Sequence, residues 1–415
     1  MVYVFIQDKK VIKIHLEQIE DLQTEYFNLI QSDVVKRLKN LKSAIIDIQS
    51  DQVKPFVGKF QAYKGVAWRL VCVILNKEFP LSKFKKDLYS KTISSLIRNI
   101  KKQRDVNLDG LLNFLEDLED IKNEILKELL TGRAEDLEAF NNDILKKYSL
   151  STAKDFHLLA LAFNYNDCKE ISRKIRDFFR LKNFVNYCPY CNQHPAMYNG
   201  DPEEVISVHQ LDHFYCKASN PLLCYSLFNL VPGDWNCNSI NKRDTPFSAK
   251  YHLNPYIDGF GTDIRFVPGI LNTSESIDKI IIDDKYASSN KRMQIMGTGS
   301  DNKLGNVNVF KLERKYDHIH VKEEASKVYR MFKRTAKNID TLDTFFNDFP
   351  GADIYDRYKY WYEENVRTPF EEKDFNKQRY SKLYRDLHDH VFLDTNDEHS
   401  NEIRSIIDNR GMFPS

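Results

Sequence analysis

Apolar side chains recur every three or four positions through most of the first 180 residues, the spacing of a helix that buries one face. Leu22–Ile48, Tyr63–Leu75, Leu88–Ile100 and Ala153–Ala162 all read this way, and so do Ile171, Ile175, Phe178 and Phe179. Leu111, Leu115, Leu118, Ile121, Ile125 and Leu129 form one stripe, which predicts a helix of about five turns with its acids outside. No proline falls between Pro80 and Pro189 to interrupt these helices. Before them, Val2–Leu16 alternates apolar and polar around Asp8-Lys9-Lys10, which predicts a short hairpin.

From about Asn183 to Phe260 the pattern breaks, and cysteines, prolines, aromatics and turn residues crowd together. Such a short, loop-rich segment needs a staple to hold it. Beyond it, 263–266, 279–283 and 307–311 predict strands, with a turn at Gly297-Thr298-Gly299-Ser300. Helical spacing returns near Lys322 with Ala325, Val328, Tyr329 and Phe332, and the Tyr-rich tail Tyr355–Phe392, with Trp361, reads as helical core or interface. The expected fold is α+β and mostly helical. Residues 1–180 form a helical domain with its hairpin, 181–260 a stapled core, and 261–415 a mixed strand and helix domain.

At 415 residues the chain is long enough for two or three domains of roughly 100–200 residues. Charged residues make up 29% and mean hydropathy is −0.54, and no run approaches the ~18 apolar residues of a membrane span. The opening residues lack the pattern of a secretory leader, so a cytoplasmic protein away from membranes is expected. The formal net charge of +1 hides an uneven distribution. Lys285–Lys337 holds thirteen Lys/Arg against five Asp/Glu, and Asp105–Asp143 holds three against twelve. The first could approach a phosphate backbone and the second would be repelled by it.

Seven cysteines, two of them in Cys188-Pro189-Tyr190-Cys191, favour metal binding over disulfides in a reducing compartment. Cys72 and Cys168 sit in helical surroundings and read as core thiols. A structural zinc takes four ligands, usually as two such pairs. Downstream, Cys237 supplies one member and Asp234 stands three positions before it, so Cys188, Cys191, Asp234 and Cys237 are the preferred set. Cys216, Cys224, His194 and His209 compete for the fourth place. Between the halves, a strand over Val205–Phe214 would present Asp212 and His213 to opposite sides. A second strand over Leu227–Val231 and a helix over Asp234–Arg243 would complete a ββα unit in which Asp212, His213 and Asn238 can converge.

The ordered elements Cys-x-x-Cys, Leu211-Asp212-His213-Phe214, Asn229-Leu230-Val231-Pro232 and Cys237-Asn238 with Lys242 resemble the HNH, or ββα-metal, endonuclease family over about 60 residues. They are most similar to zinc-braced members found in antiphage defence, such as the nuclease subunit of Septu-type systems. Asn308–Tyr316 is similar to a strand-to-helix stretch following that core. Asp234 stands where relatives usually carry cysteine, which leaves zinc stoichiometry open.

The resemblance implies His213 as general base, Asp212 and Asn238 as ligands of a catalytic Mg²⁺ or Mn²⁺, and Asn229 as a brace for the loop that orients His213. Lys242 or Arg243 would clamp a neighbouring phosphate. An imidazole suits deprotonation of water near neutrality, and a hard cation suits charge on the scissile phosphate. The expected function is a metal-dependent DNA endonuclease, the effector of an antiphage system. The alternatives are an RNA-cleaving enzyme and a silent zinc module that binds nucleic acid or a protein. One such site cuts one strand, so a homo-oligomer is plausible. The chain has no nucleotide-binding P-loop, so an ATPase would act in trans, with the acidic helical region as its contact. His252 reads as structural, and His318, His320, His388 and His390 as surface or packing residues.

Overall fold

A computed structural model describes residues 14, 19–49, 107–119, 124–151, 153–163, 165, 168–182, 185–196, 210–270, 276–298, 303–338, 346–347, 353–394 and 398–408. The hairpin expected at Val2–Leu16 (Ile14 apart), the helices at 63–75 and 88–100, Cys72, and the start of the strand at 205–209 lie outside the described residues.

Six helices are described before the cysteines: α1 (Ile19–Gln49), α2 (Leu108–Glu119), α3 (Ile125–Thr131), α4 (Leu137–Lys147), α5 (Ala153–Ala162) and α6 (Lys169–Lys182). Helix α1 organises them. Its Tyr26, Ile30, Val34, Leu38, Leu41 and Ile45 step by four or three and are fully buried, and α2, α3, α5 and α6 pack on it. The stripe from Leu111 to Leu129 is divided between α2 and α3 rather than running through one helix.

Next come the antiparallel strands β1 (Gln210–His213) and β2 (Leu230–Gly233), with Asp212 opposite Val231 and His213 opposite Leu230. Residues 227–229, expected to begin the second strand, form a 3₁₀ turn instead. The following helix, Asn236–Lys242, is wound as a π helix. Strands β3 (Arg265–Ile270) and β4 (Ile277–Asp283) pair antiparallel. Helix α7 (Ser289–Met296) leads to a two-residue pair, β5 (Gly297–Thr298) with β6 (Lys303–Leu304).

Helices α8 (Asn306–Val309), α9 (Leu312–Tyr316), α10 (Ile319–Lys337), α11 (Ile354–Val366), α12 (Ser381–Phe392) and α13 (Glu398–Asp408) follow. The strand expected at 307–311 is therefore a correction: Val307 and Val309 are buried from a helical turn, and Lys311 is left-handed at φ 54°. The chain is mostly helical with small antiparallel sheets, as expected.

Both flanks position the central segment. From the helical side, Tyr26 donates to the Tyr225 carbonyl at 2.7 Å and Ser226 donates to that of Leu129. From the C-terminal side, Tyr316 donates to the Cys191 carbonyl at 2.8 Å, and the Asn192 amide group to that of Phe375 at 2.8 Å. Phe266 N–H donates at 2.8 Å to Asp386, whose other oxygen pairs with buried Lys382. The tail aromatics Tyr358, Trp361 and Tyr362 are core, as expected. No helix among the described residues is long and apolar enough to cross a membrane.

Candidate active site

The cysteine turn closes on itself through two backbone bonds, Cys188 N–H to the His194 carbonyl at 2.9 Å and Asn192 N–H to that of Cys188 at 2.8 Å. Asn192 takes a positive φ of 50°, which asparagine tolerates better than most residues. The turn and the start of the π helix bring Cys188, Cys191, Asp234 and Cys237 together. All four are buried, and their ligand atoms lie within 4.8 Å of one another. Zinc bonds near 2.3 Å place tetrahedral sulfurs about 3.8 Å apart, so this donor set fits the ion. Asp234 serves twice: Oδ1 accepts from Asn236 N–H and Cys237 N–H at 2.8 and 3.1 Å, capping the helix, while Oδ2 lies 3.3 Å from Cys191 Sγ.

Of the competing ligands, His194 is exposed, Cys216 is absent from the cluster, and Cys224 lies 3.7 Å from His213. His209 is outside the described residues. Lys315 donates to Cys237 Sγ at 3.0 Å. Burial works against its charge, but the neighbouring Cys191 and Cys237 outweigh it and hold its pKa above the ordinary lysine value. A cation here offsets negative charge that three thiolates and a carboxylate bring to one ion.

Asp212, His213, Asn238 and Arg243 line one cleft of about 320 Å³, with Tyr165 and Lys217 on its walls. His213 Nε2 lies 3.0 Å from the Cys224 carbonyl. A carbonyl only accepts, so Nε2 carries the proton and Nδ1 holds the lone pair. Burial and the charge of Lys217 push the imidazole down to about 4, against the pull of Asp212. His213 is therefore neutral throughout the physiological range. Tyr165 meets its ring edge-on at 5.2 Å.

Asn229, fully buried, pins the loop that supplies this carbonyl. Its side chain donates to the Leu223 and Tyr215 carbonyls at 2.8 and 3.2 Å and accepts from Tyr215 N–H at 2.7 Å.

Asp212 and Lys242 are not placed as the resemblance implies. Asp212 is 2% exposed, and both its oxygens are engaged: Oδ1 by Lys242 Nζ at 2.8 Å and Oδ2 by the Tyr190 hydroxyl at 2.6 Å. Lys242, 1% exposed, also donates to the His213 carbonyl at 2.5 Å. It braces β1 from inside and does not reach a phosphate, which leaves Arg243, exposed at the rim, for that role. A hard cation needs carboxylate oxygens open to it. With an ammonium already on Asp212, these residues do not fit a ready Mg²⁺ site.

His252 stacks on Phe247 at 3.8 Å and is buried, a packing residue. His318 and His320 are exposed. Sequence reasoning missed Tyr190, Lys315, Tyr165 and the Cys224 carbonyl. Tyr190 lies inside the cysteine motif, but nothing in its spacing signals a bond to Asp212. Comparison with sequence families, curated proteins and solved structures finds no match.

Proposed function

We propose that the cleft hydrolyses phosphodiester bonds, with nucleic acid, DNA first, as substrate. One observation carries this reading: a neutral imidazole, fixed through Nε2 so that Nδ1 keeps its lone pair, lines a cleft that also presents Asn238 and Arg243. His213 Nδ1 would take the proton of an attacking water as its oxygen bonds to phosphorus, the bond to the departing sugar oxygen would break with that oxygen taking a proton from solvent, and Arg243 would offset charge on the phosphate. Asn229 would hold the orienting loop, and a zinc in the Cys3Asp cluster would hold the turn carrying Tyr190.

The metal-dependent form of this reaction requires Lys242 to leave Asp212. That buried ion pair also favours a second reading, a zinc module that binds nucleic acid without cutting. A role as effector in antiphage defence, with an ATPase in trans or a second copy of the chain, rests on the motif resemblance alone.

The test is incubation of the full chain with supercoiled plasmid or RNA, with and without Mg²⁺ or Mn²⁺, beside His213→Ala. Nicking by wild type and not by the variant is expected. Equal behaviour under every condition would sink the catalytic reading, and the nucleic acid that is cut identifies the substrate.

A further inference from the structure

Helix α6 carries a second basic feature leading away from the cleft. Ile171, Ile175, Phe178 and Phe179 bury one face. On the other, Lys169, Arg173 and Arg176 follow at i, i+4 and i+7, so they share a stripe. Lys174 and Arg180 on the same helix pair with Asp33 and Asp177. Among the described residues no acid pairs with Lys169, Arg173 or Arg176. These three line a cavity of about 760 Å³ together with Ser172, Tyr165 and one acid, Glu170. Tyr165 and Arg176 also wall the His213 cleft, so the two spaces adjoin there.

Tyr165 marks the junction. Its hydroxyl is buried and finds no acceptor within hydrogen-bond distance among the described residues, and its polar neighbour, Arg176, is itself a donor. Burial pushes the phenol up to about 12, so it keeps its proton. The hydroxyl sits beside Arg176, and the cavity that Arg176 shares with Arg173 and Lys169 holds three cations without an acid partner among the described residues, a lining suited to an anion that brings several acceptors. Seven residues of helix rise about 10 Å, roughly the length of three nucleotides at 3.4 Å each.

We propose that this stripe is the path of the nucleic-acid strand flanking the scissile bond: Arg176 and Tyr165 hold the phosphate next to the cleft, and Arg173 and Lys169 hold the next ones. The inference rests on the phosphodiester reading of the cleft, but binding tests it without turnover. The stripe reads backbone charge, so DNA and RNA are both candidate strands.

The experiment measures fluorescence-anisotropy affinities of the full-length His213→Ala protein for a labelled DNA duplex, its single strand and the matching RNA, each across a salt series. Adding Arg173→Gln and Arg176→Gln together should flatten the slope of log affinity against log salt by about 1.8 on duplex and about 1.4 on single strands. Arg173→Lys with Arg176→Lys should restore it. Tyr165→Phe should weaken binding roughly threefold to tenfold with the slope unchanged, and Glu170→Gln should strengthen it. Lys146→Gln, exposed on α4 and outside the basic stretch Lys285–Lys337, is the control that should change nothing. A loss on one probe only names the strand that uses the path. An unchanged slope for the folded double glutamine variant on all three probes, or no binding at all, overturns the proposal, whether or not wild type cuts.

Discussion

Two imidazoles, His213 beside the cleft and His388 in the C-terminal core, start from the same physics and end differently. Burial lowers the pKa of both. His388 uses both nitrogens: Nδ1 pairs with Asp389 at 2.8 Å and Nε2 meets the Tyr358 hydroxyl at 2.6 Å. Arg385 closes the network on Asp389 at 2.9 Å, and Phe332, Tyr362 and Phe370 surround the ring. Burial works against the Asp389 charge, but Arg385 and His388 hold its carboxyl well below the usual range. Among the described residues His213 commits only Nε2, and the residue lines a cleft. A depressed pKa alone therefore does not mark a site; a ring nitrogen left without a partner in a residue that lines a cleft is the stronger sign.

Chelation gives the largest contrast. Structural zinc contributes on the order of 10 kcal/mol to folding in small domains. Removing it should raise amide hydrogen exchange across 185–196 and 230–242 well before 381–392, and Asp234→Ala should lower zinc content per chain. Uniform exchange in both regions would show that the cluster is not the staple.

Next is function against stability. His213→Ala should cut cleavage by about 10²–10⁴-fold while costing only about 1 kcal/mol in urea unfolding. His388→Ala should reverse this, costing about 3–5 kcal/mol by leaving a buried charge network short of a partner, with cleavage by folded protein unchanged.

The buried lysines sharpen the comparison further. Lys242→Met and Lys382→Met each strand a carboxylate, Asp212 or Asp386, and each should cost about 3–5 kcal/mol. Only Lys242→Met should regain stability with added Mg²⁺, because Asp212 borders a cleft. Equal rescue in both, or in neither, would separate Asp212 from any ion.

Acid gives the smallest effect. His213 titrates near 4 when folded and near 6.5 when unfolded, so below 6.5 the unfolded chain takes up the proton first. Its contribution is present above pH 6.5 and is lost as pH falls toward 4, on the order of 1–3 kcal/mol. His213→Ala should flatten that part of the stability profile. The acid limb of cleavage should lie near pH 4 rather than 6.5.

The cluster of Cys188, Cys191, Asp234 and Cys237 was legible because two pairs at spacing three announce themselves, Asp234 included. The order strand, strand, helix was legible too, though β2 begins three residues late because 227–229 are drawn into a 3₁₀ turn. The direction of Lys242 was not: a basic residue after Cys-Asn reads as a phosphate clamp until its partner, thirty residues away, is seen. Val307 and Val309 mimicked a strand because a four-residue helix is too short to display its own period. The Leu111–Leu129 stripe concealed a break because α2 and α3 both bury their leucines and both pack against α1.

Tyr190 gives the cysteine turn a reach beyond its own cluster. Its hydroxyl rests on Asp212 while its ring stacks on Phe310 at 4.3 Å, so the carboxylate inherits its aim from the corner that the sulfurs tie. Oxidising or unlacing that corner would misalign the neighbouring cleft without touching one of its own side chains, so sulfur chemistry on one side of the ring governs oxygen chemistry on the other.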